Sequence, residues 1–255
     1  MYIKKLKNVE GESLNLYVTE TKSKTKVPVV IMFHGFTSKG NNSTNKRLVE
    51  LLSEFGISSI CVDLSGHGES EGKIEEQTIT KAKEEIKVVF DWTSNQKWVD
   101  ENKISILGSS FSGNAAILFA ADNNKLHSLV LKSPVTDYYD VRLRQMGTQK
   151  METWRQEGKI ILNDGTPSNY SFIEDVKGFD SYEEIKKIKC PLYVVQGDND
   201  EDIPMEHVQR LEQILDFNKD EITIIKGADH GYTNKDYFNN MIELIVGFLR
   251  KDLLV

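Results

Sequence analysis

Hydrophobic residues fall along this chain in two regimes. Near the N-terminus Leu14, Leu16 and Val18 alternate with polar residues, the period-2 pattern of a strand with one wet face, and predict an antiparallel edge. After it come short apolar runs: Val29 to Phe33, Ile57 to Val62, Ile104 to Leu107, Leu129 to Leu131, Leu192 to Val195 and Ile222 to Ile225. Continuous runs rich in Val and Ile are what parallel strands buried on both faces look like. Between them lie segments of helical spacing. Leu48, Leu51, Leu52 and Phe55 share a face, and Gly56 stands where a left-handed stop is expected. Ile86, Val89, Phe90 and Trp92 mark a second helix, and the residues after Ser110 a third. Phe238, Met241, Ile242, Ile245, Phe248 and Leu249 make a long apolar stripe near the C-terminus. Strands alternating with helices predict an α/β fold, a mostly parallel sheet flanked by helices.

The alternation breaks between about Pro134 and Ile188. This stretch carries Tyr138, Tyr139, Trp154, Tyr170 and Phe172 among many charges, with turn signals at Asp164-Gly165-Thr166-Pro167 and Gly178 and no strong strand. Structureless loops of that size are uncommon in compact domains, so a small helical cap insertion over about 134–188, packed on one edge of the sheet, is expected. The remainder reads as a single domain, 1–255, with that insertion.

Composition narrows the partners. Apolar residues at 39% and charged residues at 28% are ordinary for a globular chain. The balance of 32 basic against 39 acidic residues gives a net charge of −7, with no dense basic stripe, so nucleic acid and anionic membrane are poor partners. The start, Met1 to Lys7, lacks the apolar stretch of a signal peptide and no 18-residue apolar run follows, which predicts a cytoplasmic protein. Cys61 and Cys190 lie beside or inside predicted buried strands and read as inert thiols. Neither a disulfide framework nor a metal site is indicated.

The chemistry gathers at strand ends. The run Ile104 to Leu107 leads into Gly108-Ser109-Ser110-Phe111-Ser112-Gly113, after which an apolar helix begins. A serine on a sharp strand-to-helix turn is lifted clear of the sheet, and the crowded backbone asks for very small residues two positions either side. Here these are Gly108 and Ser112, where glycine is usual at both. A serine hydroxyl also needs an adjacent base, itself oriented by a third group. The run Leu192 to Val195 ends in Gln196-Gly197-Asp198-Asn199-Asp200-Glu201-Asp202-Ile203-Pro204, a loop with four carboxylates, and Ile222 to Ile225 ends in a loop carrying Asp229-His230-Gly231. Serine, acid and histidine thus follow one another in the order of a strand-end catalytic triad. The N–H groups of Phe36, in His34-Gly35-Phe36, and of Phe111 make a two-donor oxyanion hole. His34 follows the wrong strand for a second base and is read as ordering its loop.

Taken together, His34-Gly35-Phe36, Asp63-Leu64-Ser65-Gly66-His67-Gly68-Glu69-Ser70, Gly108 to Gly113, Gly197 to Pro204 and Asp229-His230-Gly231 resemble the α/β-hydrolase superfamily over nearly the whole chain. Within it the chain looks most like bacterial carboxylesterases with a short cap, a group that includes cinnamoyl and feruloyl esterases and monoacylglycerol lipases. The resemblance implies Asp200, three residues after Gly197 and four before Pro204, as the triad acid, with Asp202 as the fallback. It also implies that the Asp63 to Ser70 loop shapes the floor of the site, with His67 structural. The expected protein is a serine hydrolase of small carboxylic esters, using Ser110, Asp200 and His230 with no cofactor or metal. Aminopeptidase, acyl-peptide and thioester hydrolysis by the same triad are alternatives, and a non-catalytic binding protein on this fold is a further one. Tyr138, Trp154 and Tyr170 are candidate substrate contacts, Arg142 and Arg144 are expected on a solvated helix face, and an exposed cap and edge strand would permit a homodimer.

Overall fold

The computed structural model describes residues 1–254. Its sheet begins with a strand that the periodicity does not announce. β1 (Tyr2–Lys7), largely exposed, pairs antiparallel with β2 (Ser13–Thr19) from Tyr2 opposite Val18 to Lys7 opposite Ser13. The predicted edge strand is therefore one place in from the edge. Its supposedly wet face is covered too: Asn15 and Tyr17 are buried, and both donate hydrogen bonds to Asp63. Alternation here marks polar residues with buried partners, not exposure to water.

The six apolar runs form β3 (Val27–Phe33), β4 (Ser58–Asp63), β5 (Val99–Ser109) and β6 (Ser128–Lys132), and then, beyond the cap region, β9 (Leu192–Gly197) and β10 (Glu221–Ile225). These six are mutually parallel, and the eight-stranded sheet as a whole runs in the order β1-β2-β4-β3-β5-β6-β9-β10. Successive strand residues face opposite sides. Ile31 and Phe33 thus join the core packed by α2 (Ile79–Ser94) and α3 (Phe111–Asp122), whereas Val30 and Met32 join the one packed by α1 (Ser43–Glu54) and α8 (Lys235–Leu253). Asn42 caps α1 by accepting the Asn45 N–H, and Gly56 follows its end at φ +77°. Leu48 and Leu52 are buried as predicted; Phe55 instead stands at the surface beneath Arg250.

Between β6 and β9 the chain forms α4 (Tyr138–Glu157), the strands β7 (Lys159–Ile161) and β8 (Pro167–Asn169), α5 (Ser171–Val176) and α6 (Ser181–Ile185); α7 (Met205–Glu212) follows β9. The insertion is mostly helical, and within it β7 and β8 pair as a short antiparallel hairpin. The turn signal sits at its tip, where Asp164 Oδ1 accepts the Thr166 N–H. Three-residue strands carry too few positions to show a period. Inside α4, Gly147 at φ 73°, ψ 166° breaks the helix and resets which residues face inward beyond it.

Candidate active site

Ser110 occupies the single residue between β5 and α3, at φ 51° and ψ −107°. Such a conformation costs a non-glycine residue about 1–3 kcal/mol and persists only when its surroundings fix it. A Cβ on Gly108 would lie 2.7 Å from the Ser112 carbonyl oxygen and 2.8 Å from Gly113 Cα, so the turn admits no side chain there. Ser112 is tolerated for a specific reason. Its fully buried hydroxyl donates to the Phe33 carbonyl at the end of β3 (2.8 Å) and accepts the Ser109 N–H (2.9 Å). The residue that departs from the usual glycine thereby ties the turn to the neighbouring strand.

The acid and histidine loops meet through another glycine. A Cβ on Gly197 would sit 2.2 Å from the Ala228 carbonyl oxygen, so only glycine lets the loop after β9 lie against the loop after β10. That contact brings Asp200 Oδ2 to 2.8 Å from His230 Nδ1, and His230 Nε2 to 3.1 Å from Ser110 Oγ. The Asp200 side chain has no exposure to solvent. Its Oδ2 also accepts from Gln196 Nε2 at 2.6 Å, and its Oδ1 accepts the N–H groups of Asp202 and Ile203, each at 2.9 Å. Burial pushes this carboxyl upward, but the bond from His230, with those from Ile203 and Gln196, holds it below the usual carboxylate range. Asp202, the alternative acid, is exposed at the cavity rim, where its Oδ1 accepts from Gln145 Nε2 at 3.5 Å.

His34 and His67, on neighbouring loops, are held by structural contacts. His34 is buried; its Nδ1 bonds the Gly35 carbonyl at 2.7 Å and its Nε2 accepts the Leu64 N–H at 3.1 Å, which fixes the Nδ1–H tautomer. Burial and the adjacent His67 push it down to about 4. His67 bonds the Ser65 carbonyl at 2.9 Å and is likewise lowered by burial. Gly35 packs on Ser110, which sets Phe36 beside the turn. Among the described residues, the N–H groups of Phe36 and Phe111 donate to no protein acceptor.

A cavity of about 540 Å³ opens onto Ser110 and His230. One side is a stripe of α4, Tyr138, Val141, Arg142, Gln145 and Met146, with Leu162 and Phe36 across from it. Of the three predicted contacts only Tyr138 borders this space. It is buried, touches Ser110 through its hydroxyl, and packs edge-on against Phe172 at 5.1 Å; burial raises its phenol. Trp154 and Tyr170 do not line it: Trp154 is wholly buried, donates Nε1–H to the Ser168 carbonyl at 3.0 Å and packs edge-on against Tyr170. The break at Gly147 turns this half of α4 toward the hairpin instead. Arg142 is also corrected, for it lines the cavity 5.8 Å from the Tyr138 ring centroid, whereas Arg144 pairs with Asp140 at the surface. Spacing could have found the stripe, since positions 138, 141, 142, 145 and 146 share one helical face.

A larger hollow of about 790 Å³, bordered by Phe90, Asn102, His127 and Cys190, holds none of these groups. Among the described residues no cluster of three or more His, Cys, Asp or Glu is placed to hold a metal ion, and no helix is long and apolar enough to cross a membrane.

Comparison with known proteins agrees with this architecture. A profile of the prolyl oligopeptidase family matches residues 43–254. Human Protein ABHD12B is 24% identical over 73% of this chain and 49% of its own length. The human mitochondrial palmitoyl-protein thioesterase ABHD10 is 24% identical over 84% of this chain and 70% of its own. The chain thus spans about half the length of some curated relatives it matches. Among solved structures, Est1E from Butyrivibrio proteoclasticus with bound ferulic acid superposes with a TM-score of 0.85 at 23% identity, covering all of both chains. The fold shared with that structure is the α/β-hydrolase fold.

Proposed function

Since the chain belongs to the prolyl oligopeptidase family of α/β-hydrolases, we propose that it is a serine hydrolase cleaving carboxylic esters of small substrates through an acyl-enzyme on Ser110. The observation that carries this reading is the unbroken hydrogen-bonded line from Ser110 Oγ through His230 to the buried Asp200 carboxylate. Ser110 Oγ attacks the ester carbonyl and its proton passes to His230 Nε2. Asp200 holds Nδ1–H and balances the imidazolium charge. The oxyanion that forms is met by the Phe36 and Phe111 N–H groups, an arrangement worth about 3 to 4 kcal/mol per donor. His230 returns the proton to the departing alcohol, then takes one from the water that attacks the acyl carbonyl. Acid leaves and Ser110 regains its proton.

In this reading the chain acts as one unit, and the segment between β6 and β9 is its cap. A cavity of about 540 Å³ lies within the range of small-molecule sites and supports a compact ester. The family's name favours a second reading, amide or peptide cleavage by the same residues, and the name of the ABHD10 relative points to thioesters. Matched ester, thioester and aminoacyl amide substrates rank the three. The decisive experiment is Ser110→Ala: hydrolysis of p-nitrophenyl acetate and labelling by a fluorophosphonate probe should both vanish. Labelling that persists in this variant would refute the assignment.

A further inference from the structure

Lys132 is the last residue of β6, the strand between the one that delivers Ser110 and the one that delivers Asp200. Its sequence neighbours Leu129, Val130 and Leu131 are fully buried, and Lys132 itself is only 7% exposed. An ammonium in such a place is costly to desolvate, so its partners show what it is held for. Its Nζ donates to the carbonyl of His230 at 3.3 Å and lies 4.7 Å from the centroid of the Tyr232 ring, two residues further along the same loop. The charged groups facing it are Asp200 from the loop after β9 and Asp229 from the loop after β10. On the other side, its backbone carbonyl accepts the N–H of Ser110 at 2.9 Å. One residue thus touches the serine turn and the histidine loop and sits within the field of the acid. It does not border the cavity.

We propose that Lys132 is a positioning residue of this site, whose ammonium pins the His230 loop. The inference rests on the serine-hydrolase reading above. The pinning acts on geometry. His230 has to keep Nε2 in line with Ser110 Oγ, and a displacement of about 1 Å at such a place costs about a hundredfold in rate. Burial pushes the ammonium itself down to about 8 although Asp200 and Asp229 favour it, so the charge that strengthens the bond to the His230 carbonyl and the contact with the Tyr232 ring leaves in mild alkali.

Lys132→Met keeps the length and apolar stem of the side chain and removes the charge; Lys132→Gln keeps a donor without the charge. With p-nitrophenyl acetate, and rates expressed per fluorophosphonate-titrated site so that unfolded protein does not count, kcat of Lys132→Met should fall by about a hundredfold. KM should stay within about threefold, because the residue is outside the cavity. Lys132→Gln, which keeps a donor toward the His230 carbonyl, should recover part of kcat. In the wild-type protein kcat should decline above about pH 8, and this decline should be missing from Lys132→Met. Unchanged kcat in titrated Lys132→Met overturns the inference alone. If neither variant folds, a wild-type kcat that stays flat to pH 10 overturns it. A wild-type protein that neither labels nor turns over removes the serine-hydrolase reading, and the inference with it.

Discussion

Replacing Asp200 by asparagine tests the site at its least visible member, and the hydrogen bonds around the carboxylate determine what the substitution does. Asparagine carries one acceptor oxygen and one NH2 donor where aspartate has two acceptors. The Oδ1 position receives two backbone N–H groups, from Asp202 and Ile203, so the amide oxygen stays there. The NH2 group then occupies the Oδ2 position, facing His230 Nδ1 and Gln196 Nε2. A donor opposite Nδ1 forces the proton onto Nε2, the nitrogen that has to accept from Ser110. A triad held in the wrong tautomer loses about ten-thousandfold in kcat, roughly 5.5 kcal/mol of barrier. Folding should suffer much less. The buried Oε1 of Gln196 has no partner among the described residues, so a flip of that amide supplies the acceptor the new NH2 needs, at the loss of the Nε2 bond to the Gly197 carbonyl, and the cost is about 1–3 kcal/mol. The linkage has a definite sign: a carboxyl held low in the folded protein adds stability above its unfolded pKa and loses it as pH falls through the folded value. The stability gap between wild type and Asp200→Asn should therefore close in acid. Initial rates with p-nitrophenyl acetate and urea midpoints at several pH values read both effects. Asp202→Asn, at an exposed carboxylate, should keep kcat within about twofold. An Asp200→Asn protein retaining a tenth of wild-type kcat, or an Asp202→Asn protein as damaged as the first, would break the argument.

Three further substitutions probe the supports. Ser112→Ala leaves the buried Phe33 carbonyl without its hydroxyl donor, and the urea midpoint should report a loss of about 1–3 kcal/mol while the per-site rate changes by less than tenfold. Gly197→Ala sets a Cβ against the backbone of Ala228, which has no free rotation by which to yield; circular dichroism should show a folded protein about 1–3 kcal/mol weaker, with fluorophosphonate labelling slowed at least as much as in Lys132→Met. Trp154→Ala empties a fully buried position away from the cavity, so melting should reveal a cost of about 3–5 kcal/mol, and a changed substrate preference without that loss would contradict its placement.

Where sequence and structure agree, a local physical demand had already fixed the residue type. Parallel strands covered on both faces need unbroken apolar runs, and all six runs are strands. A backbone forced into the φ 51° turn at Ser110 needs glycine at position 108, and the contact between the acid and histidine loops needs it at 197. Failures occur where the demand is tertiary. β1 has one exposed face and many charges, so nothing in its own pattern distinguishes it from a loop until β2 pairs with it. Lys132 closes an apolar run and looks like a polar terminus; its partners lie about a hundred residues away in sequence, as its bond to His230 shows. Asp200 and Asp202 differ little as letters, and burial separates them.

The cap shows this limit within a single helix. Aromatic residues were its most conspicuous feature, and counting them puts Trp154 and Tyr170 on the same footing as Tyr138. Helical phase separates them, because Tyr138, Val141, Arg142, Gln145 and Met146 repeat at three and four residues and form the cavity wall. That phase holds only as far as Gly147, whose positive φ turns the rest of α4 so that Met151 and Trp154 pack inward on the hairpin side. The helix thus divides into a half that lines the cavity and a half that packs on the hairpin side. Substitutions before the break should act on KM and substrate preference, and those after it on stability.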